Sequence, residues 1–249
     1  MNRLEGRIAL ITGGSRGLGR GIALAFAEEG AKIAFNYLQA EDAAREVVGE
    51  IEQKGGEALA RKADVTDSAE VEGLVDAALS RFGRIDILVN NAGIAAPRAF
   101  TEMTIDEWDG LLAVHLRGMF LFSHFVVPAM LKQGKGNIIN MVGSFGIQPE
   151  AHWTHLSTAK AGMIAFTRSL ARELGDQGVR VNAVCPAMTK TELIEKFDPD
   201  MLEGVRQRYP LKRLGEVKDV TATVLFLASD DSDYFTGQTL APCGGDVMV

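Results

Sequence analysis

Short apolar runs alternate with longer amphipathic segments along the 249-residue chain. The runs, beginning with residues 8–12, have the length of buried strands, and the segments between them have helical periodicity. Strict alternation of strand and helix predicts parallel strands joined by right-handed crossovers. Because no linker, internal repeat or low-complexity stretch interrupts the pattern, we expect one α/β domain over residues 1–249. It would be a doubly wound domain, with about seven parallel strands and helices on both faces.

The charge and cysteine content exclude several classes of protein. A net charge of −7 and a pI of about 5.2 argue against a nucleic-acid partner, which needs a basic face. Cys185 and Cys243 are too few for a disulfide framework, and no Cys/His cluster predicts a metal site. Free thiols indicate a cytoplasmic protein.

The sequence does not predict a membrane partner. The N-terminus has too short an apolar run for a signal peptide. The most apolar stretch, residues 119–131, is interrupted by Ser123, His124 and Pro128, so we expect it to be too short to cross a bilayer.

Small and polar residues follow four of the predicted strands, as TGG, NNAG, GS and CPAMT. In a doubly wound sheet these carboxyl ends of the strands border one crevice, where ligands bind. The first of them continues as TGGSRGLG, in which Gly13, Gly17 and Gly19 permit a tight turn and close approach of a phosphate to a helix N-terminus.

Taken together, TGGSRGLG, NNAG, the segment from Ser144 to Lys160 and CPAMTKT resemble the short-chain dehydrogenase/reductase family. The chain is most similar to its 3-oxoacyl-carrier-protein reductase-like members. The resemblance implies a Rossmann-type domain and an oxidoreductase that binds NAD(H) or NADP(H). It also implies a small-molecule substrate and assembly as a homotetramer. It also implies that the polar segment at about 187–215, which we expect to be irregular, covers the substrate.

The resemblance assigns cofactor contacts residue by residue. Ala187 stands where the family usually has glycine, which leaves cofactor binding possible. The implied cofactor-binding residues are Gly13, Ser15, Arg16, Gly17, Leu18, Gly19, Asn36, Tyr37, Asp64, Val65, Asn91, Ala92, Gly93, Lys160, Pro186, Thr189 and Thr191.

The residues after the second strand favour NADP(H) over NAD(H). NAD-binding sites need a carboxylate there for the ribose hydroxyls, and this chain has the neutral sequence Asn36-Tyr37-Leu38. Arg16 could pair with a 2′-phosphate. Glu41 and Asp42 come later and are expected to begin the next helix.

Two of the family's four catalytic residues are absent. Ser144 and Lys160 occupy the serine and lysine positions, but Leu156 stands at the position of the tyrosine that exchanges a proton with substrate. His115 stands at the asparagine position. The three tyrosines of the chain, Tyr37, Tyr209 and Tyr234, are distant in sequence.

The histidines His115, His152 and His155 are therefore candidate proton donors, together with Ser144 and Lys160 as catalytic residues. Each also has a simpler interpretation: His115 as a hydrogen-bonded buried residue, His155 as a helix-end or interface residue, Ser144 as a turn residue and Lys160 as a ribose ligand. Trp153 could line an apolar substrate pocket or serve packing alone.

Three functions remain open from the sequence. The one we favour is an NADP(H)-dependent oxidoreductase with a non-standard proton donor, acting on a small carbonyl, imine or activated C=C substrate. The second is a catalytically silent NADP(H)-binding protein, as a sensor or partner subunit. The third is a non-redox enzyme using the same pocket.

Overall fold

A computed structural model describes residues 2–248 and contains a parallel sheet of seven strands. The strand order is β3-β2-β1-β4-β5-β6-β7, so the predicted fold class is confirmed. The strands are β1 (Ile8–Ile11), β2 (Lys32–Tyr37), β3 (Ala58–Lys62), β4 (Ile87–Asn90), β5 (Gly136–Met141), β6 (Val179–Val184) and β7 (Thr239–Leu240).

Helices cover both faces of this sheet. Glu41 and Asp42 lie in the first turn of α2, as expected. The helices are α1 (Gly17–Glu28), α2 (Glu41–Gln53), α3 (Ser68–Phe82), α4 (Ile105–Leu112), α5 (Gly118–Gln133), α6 (Thr154–Leu174), α7 (Pro199–Arg208) and α8 (Val217–Ala228).

Alternate residues of each strand pack into different cores, because successive side chains of a strand point to opposite faces. In β1, Ile11 packs with Phe26 of α1 and Val220 of α8, whereas Leu10 belongs to the core that contains Phe122 of α5. Burial on both faces explains why the central strands are almost continuously apolar.

Strand order reverses at the centre of the sheet, where β1 pairs with both β2 and β4. The crevice beyond the carboxyl ends of β1 and β4 is therefore the expected ligand site of a doubly wound sheet.

The helix that contains residues 119–131 is longer than this apolar stretch. A turn of π-helix (Ala113–Arg117) joins α4 to α5, and the resulting helix from Ile105 to Gln133 is long and apolar enough to cross a membrane. However, α5 packs against α3, β4 and β5 within the fold, and 44% of its most apolar window is buried there. Such a helix is typical of a protein core, so its apolar composition is weak support for a membrane span.

The segment 187–215 is not irregular throughout, contrary to the prediction. It contains a short 3₁₀ turn (Ile194–Lys196) and α7. Asp198 caps α7 by accepting hydrogen bonds from the N–H groups of Asp200 and Met201, and Pro199 occupies the first turn. These are ordinary signals for the start of a helix. The helix was not predicted because the segment is polar.

Candidate active site at the carboxyl ends of the strands

The glycine turn after β1 forms a cradle that side chains would fill. Gly13 and Gly17 have φ values of +68° and +55°, and a Cβ atom on Gly19 would lie 2.1 Å from the Gly13 carbonyl oxygen. Arg16, at the N-cap of α1, offers no side-chain cap to the first turn. The uncapped N–H groups in the first turn of α1 can donate hydrogen bonds to a phosphate, so this turn fits a dinucleotide.

Hydrogen bonds from neighbouring strands hold the turn in place. The Asn36 side chain accepts from the Gly13 N–H at 2.9 Å and donates to the Ala63 carbonyl at 2.8 Å. This buried amide is therefore occupied by protein partners, and its direct contact with a cofactor remains a prediction. Thr12 Oγ1 accepts from the N–H groups of Asn91 and Ala92, both at 2.8 Å, which joins β1 to β4.

The expected adenosine end has no free carboxylate directly after β2. Arg16 is exposed and Tyr37 half-buried, while Leu38 and Gln39 are exposed and neutral. The Asp64 carboxylate accepts from the N–H and hydroxyl of Thr66, both at 2.8 Å.

An apolar cavity of about 520 Å³ adjoins the cradle at Leu18, Thr189 and Thr191. Its wall includes three aromatic rings. Phe145 stacks on Trp153 with ring centroids 5.0 Å apart, and Trp153 meets Phe197 edge to face at 6.1 Å. Trp153 thus lines the cavity, and Phe197 brings the segment before α7 against it.

Leu156 lies behind this wall and not on the cavity surface. It is buried with Trp153, Leu111 and Ala159 in one apolar cluster. The position that the family resemblance assigns to tyrosine therefore serves packing, and it brings no proton donor to the cavity.

Lys160 is held by a hydrogen bond of 2.8 Å from its Nζ to the carbonyl oxygen of Met141, at the end of β5. Burial lowers the pKa of Lys160 to about 8, with a smaller opposing effect of Cys185. Lys160 is near Gly143, which lines the cavity next to Ser144. The catalytic roles of Ser144 and Lys160 remain predictions.

None of the three candidate histidines lines the cavity. His115 Nε2, in the π-helical turn, lies 2.8 Å from the Ile94 carbonyl oxygen, and the ring packs against Gly93. Burial, and then the charge of Lys160, lower the pKa of His115 to about 3, so the ring is neutral near pH 7. His155 is buried beside Leu156, and His152 is exposed with a left-handed φ of +68°. These positions do not favour a histidine proton donor.

Five polar residues of the cavity were not among the predicted site residues: Gln148, Glu150, Arg208, Tyr209 and Asp246. Arg208 and Glu150 form an ion pair at 2.9 Å. The buried Tyr209 hydroxyl accepts a hydrogen bond from the Met188 N–H, and burial raises the pKa of Tyr209 to about 12. No local pattern marks these residues, because the segment before α6, α7 and the C-terminal turn bring them to the site from distant parts of the chain.

Within residues 2–248, no group of three or more His, Cys, Asp or Glu side chains could hold a metal ion.

Comparison with known proteins agrees with this geometry. The family profile described as enoyl-(acyl carrier protein) reductase matches residues 13–246. The chain is 42% identical to a 3-oxoacyl-(acyl-carrier-protein) reductase of Synechocystis over the full length of both. It is 41% identical to a Staphylococcus epidermidis protein of the same activity, covering 96% of this chain and 98% of that one.

A solved structure has the same fold. It is a double mutant of a Serratia marcescens short-chain dehydrogenase/reductase, and it superposes with a TM-score of 0.93. The two sequences are 33% identical, and the superposition covers 98% of each chain.

Proposed function

Because the chain belongs to the short-chain dehydrogenase/reductase family of oxidoreductases, we propose that it is an NADP(H)-dependent reductase of carbonyl groups whose proton donor is not a tyrosine. The observation that carries this proposal is the direct junction of a phosphate cradle with an apolar cavity that contains Ser144. We place the protein in the cytoplasm.

NADP(H) is preferred to NAD(H) because the adenosine end presents Arg16 without a carboxylate after β2. A 2′-phosphate would form charge-assisted hydrogen bonds with a guanidinium, whereas the two ribose hydroxyls of NAD(H) lack their usual acidic partner.

The residues of the chain divide the chemistry. When bound, the reduced nicotinamide supplies a hydride. Ser144 orients the substrate oxygen, the Lys160 ammonium adds positive charge behind Ser144, and Trp153 and Phe145 exclude water from the reacting group. The proton must reach the oxygen from another group, since Leu156 has none to give.

A carbonyl compound with an apolar chain suits this cavity best. Most of the lining is apolar, and the relatives named above act on 3-oxoacyl groups. An imine or an activated C=C bond would fit the same space and belongs in the test.

A silent NADP(H)-binding protein is the second candidate, and one observation favours it. The polar groups expected at the reacting end are held by backbone partners: Lys160 by Met141 and His115 by Ile94. A sensor or a partner subunit would keep the cradle and lose the chemistry.

Oxidation of NADPH by the purified protein, against a panel of 3-oxoacyl thioesters, ketones, imines and enoyl thioesters, separates the two. The Synechocystis relative serves as the positive control. We expect turnover with at least one carbonyl substrate. Calorimetric binding of NADPH without turnover of any substrate would favour the silent protein instead.

A further inference from the structure

The turn after β7 brings an acidic side chain into the cavity. Asp246 lines it together with Ser144 and Tyr209. This turn is closely constrained: Gly244 and Gly245 have φ values of +64° and +90°, and a Cβ atom on Gly245 would lie 2.5 Å from the Pro210 side chain. The Gly244 carbonyl also accepts from the Leu211 N–H at 3.1 Å. The position of Asp246 is therefore set by contacts with the segment after α7.

The surroundings of Asp246 raise the pKa of its carboxyl above the ordinary value. Burial raises the pKa of the carboxyl, the adjacent Ser144 hydroxyl and Arg208 lower it, and Glu150 raises it. Arg208 is already paired with Glu150 at 2.9 Å. The other titratable groups that face Asp246 are Tyr209 and Cys185, and the field of Asp246 raises the pKa of each. Neither supplies positive charge.

The other possible donors are less suitable. Leu156 has no acidic proton, and His115, His152 and His155 are not part of the cavity wall. The Tyr209 hydroxyl accepts from Met188 N–H, and its pKa of about 12 makes it a weaker acid than a carboxyl. Asp246 alone among these combines an acidic proton, a place in the cavity and a neighbouring hydroxyl that can pass the proton on.

Building on the proposed function, we propose that Asp246 is the proton donor of the reduction and that its proton reaches substrate through the Ser144 hydroxyl. This assigns a catalytic role to the C-terminal turn. It also answers why the tyrosine position could become leucine: the acid enters the site from β7, not from α6.

The step balances as follows. The π bond of the substrate carbonyl breaks, its carbon gains a C–H bond from the hydride of reduced nicotinamide, and the nicotinamide is oxidised. The oxygen forms an O–H bond with the Ser144 proton, while Ser144 takes the proton of Asp246. The product is an alcohol, and the Asp246 carboxylate regains a proton from water.

Asp246→Asn preserves the shape of the side chain and removes the acid. With the carbonyl substrate identified by the panel, we expect kcat to fall by about 10²- to 10⁴-fold. NADPH affinity in calorimetry should stay unchanged. Asp231→Asn, an exposed substitution in the 3₁₀ turn after α8 and outside the cavity lining, is the matched control and should retain full activity.

Two further measurements separate catalysis from structure. In the protein without cofactor, NMR of ¹³C-labelled aspartate carboxyls should show a raised pKa that disappears in Asp246→Asn. Because burial of this carboxyl favours its neutral form, Asp246→Asn should melt no lower than the wild type near pH 7. A merely structural aspartate would instead lower the melting temperature when replaced.

The outcomes are distinct. Three results would overturn the assignment of Asp246 and leave the proposed function standing. They are full activity of Asp246→Asn, an unshifted pKa for the Asp246 carboxyl, and an equal or greater loss of kcat in Tyr209→Phe. NADPH binding with no turnover by the wild type would overturn both this assignment and the proposed reductase function.

Discussion

Lys160 donates a hydrogen bond of 2.8 Å to the carbonyl oxygen of Met141, so the end of β5 and the helix α6 are joined directly beneath the cavity. Burial lowers the pKa of Lys160 to about 8. Near neutral pH the folded state therefore keeps a buried amine charged, which lowers the free energy of unfolding. Unfolding raises the pKa to its ordinary value of 10.5.

This cost predicts a pH-dependent difference between the wild type and Lys160→Met. The unfolded chain binds more protons between pH 8 and 10.5, so the Lys160 contribution to stability improves as pH rises through that window. The effect is on the order of 3 kcal/mol at most. Urea unfolding of both proteins at pH 7.5 and 10 should show the wild type gaining on Lys160→Met. A constant difference would contradict the burial of the amine.

His115 should stay neutral across the physiological range. Its pKa of about 3, against 6.5 when unfolded, means that its contribution to stability is complete above pH 6.5 and declines as pH falls below that value. At pH 5 the loss is about 2 kcal/mol relative to neutral pH. NMR of the ring protons, assigned by comparison with His115→Gln, should show no titration between pH 5 and 8. A titration midpoint in that range would reinstate His115 as a candidate acid.

Arg16→Ala should weaken NADPH binding by on the order of 1–3 kcal/mol, because a charge-assisted contact with the 2′-phosphate is lost. NADH binding should change little. Calorimetric titration with both nucleotides measures the difference, and Arg45→Ala on α2, whose guanidinium pairs with Glu41, is a matched control. Equal NADPH affinity in Arg16→Ala, or tighter binding of NADH by the wild type, would refute the preference.

Leu156→Tyr should not restore a standard site. The leucine is packed with Trp153 and Leu111, so a larger side chain overpacks the cluster at a cost of typically 1–3 kcal/mol. We expect reduced activity with the native substrate, and His115→Ala and His152→Ala to retain turnover. An increase of about 10²-fold or more in Leu156→Tyr would show that the tyrosine was simply lost from an otherwise ordinary site.

Phe120 predicts an interface between copies of this chain. It is 49% exposed on α5 and stacks on His124 one turn later, with ring centroids 5.5 Å apart. Together with the family resemblance, this apolar surface predicts a homotetramer. Light scattering at micromolar concentration should give the tetramer mass for the wild type and a smaller mass for Phe120→Glu. A monomeric wild type would contradict the prediction.

The features that could be predicted from the sequence are those that depend on neighbouring residues. Alternating strand and helix periodicities specified the parallel sheet, and TGGSRGLG specified the cradle, because glycine adopts the positive φ values of positions 13 and 17 without the steric cost of a Cβ atom. The neutral residues after β2 could likewise be interpreted directly. Each of these properties resides in consecutive residues.

Which side chains share the cavity depends on tertiary contacts between distant parts of the chain. The orientation of His115 depends on Ile94, and the burial of Leu156 depends on Trp153 and Leu111. Asp246 meets Ser144 only because β7 pairs with β6, and β6 with β5, at the edge of the sheet. The alternation within a strand shows which residues share a face, but it does not show which strands are neighbours. The meeting of Asp246 and Ser144 therefore could not be predicted from the sequence.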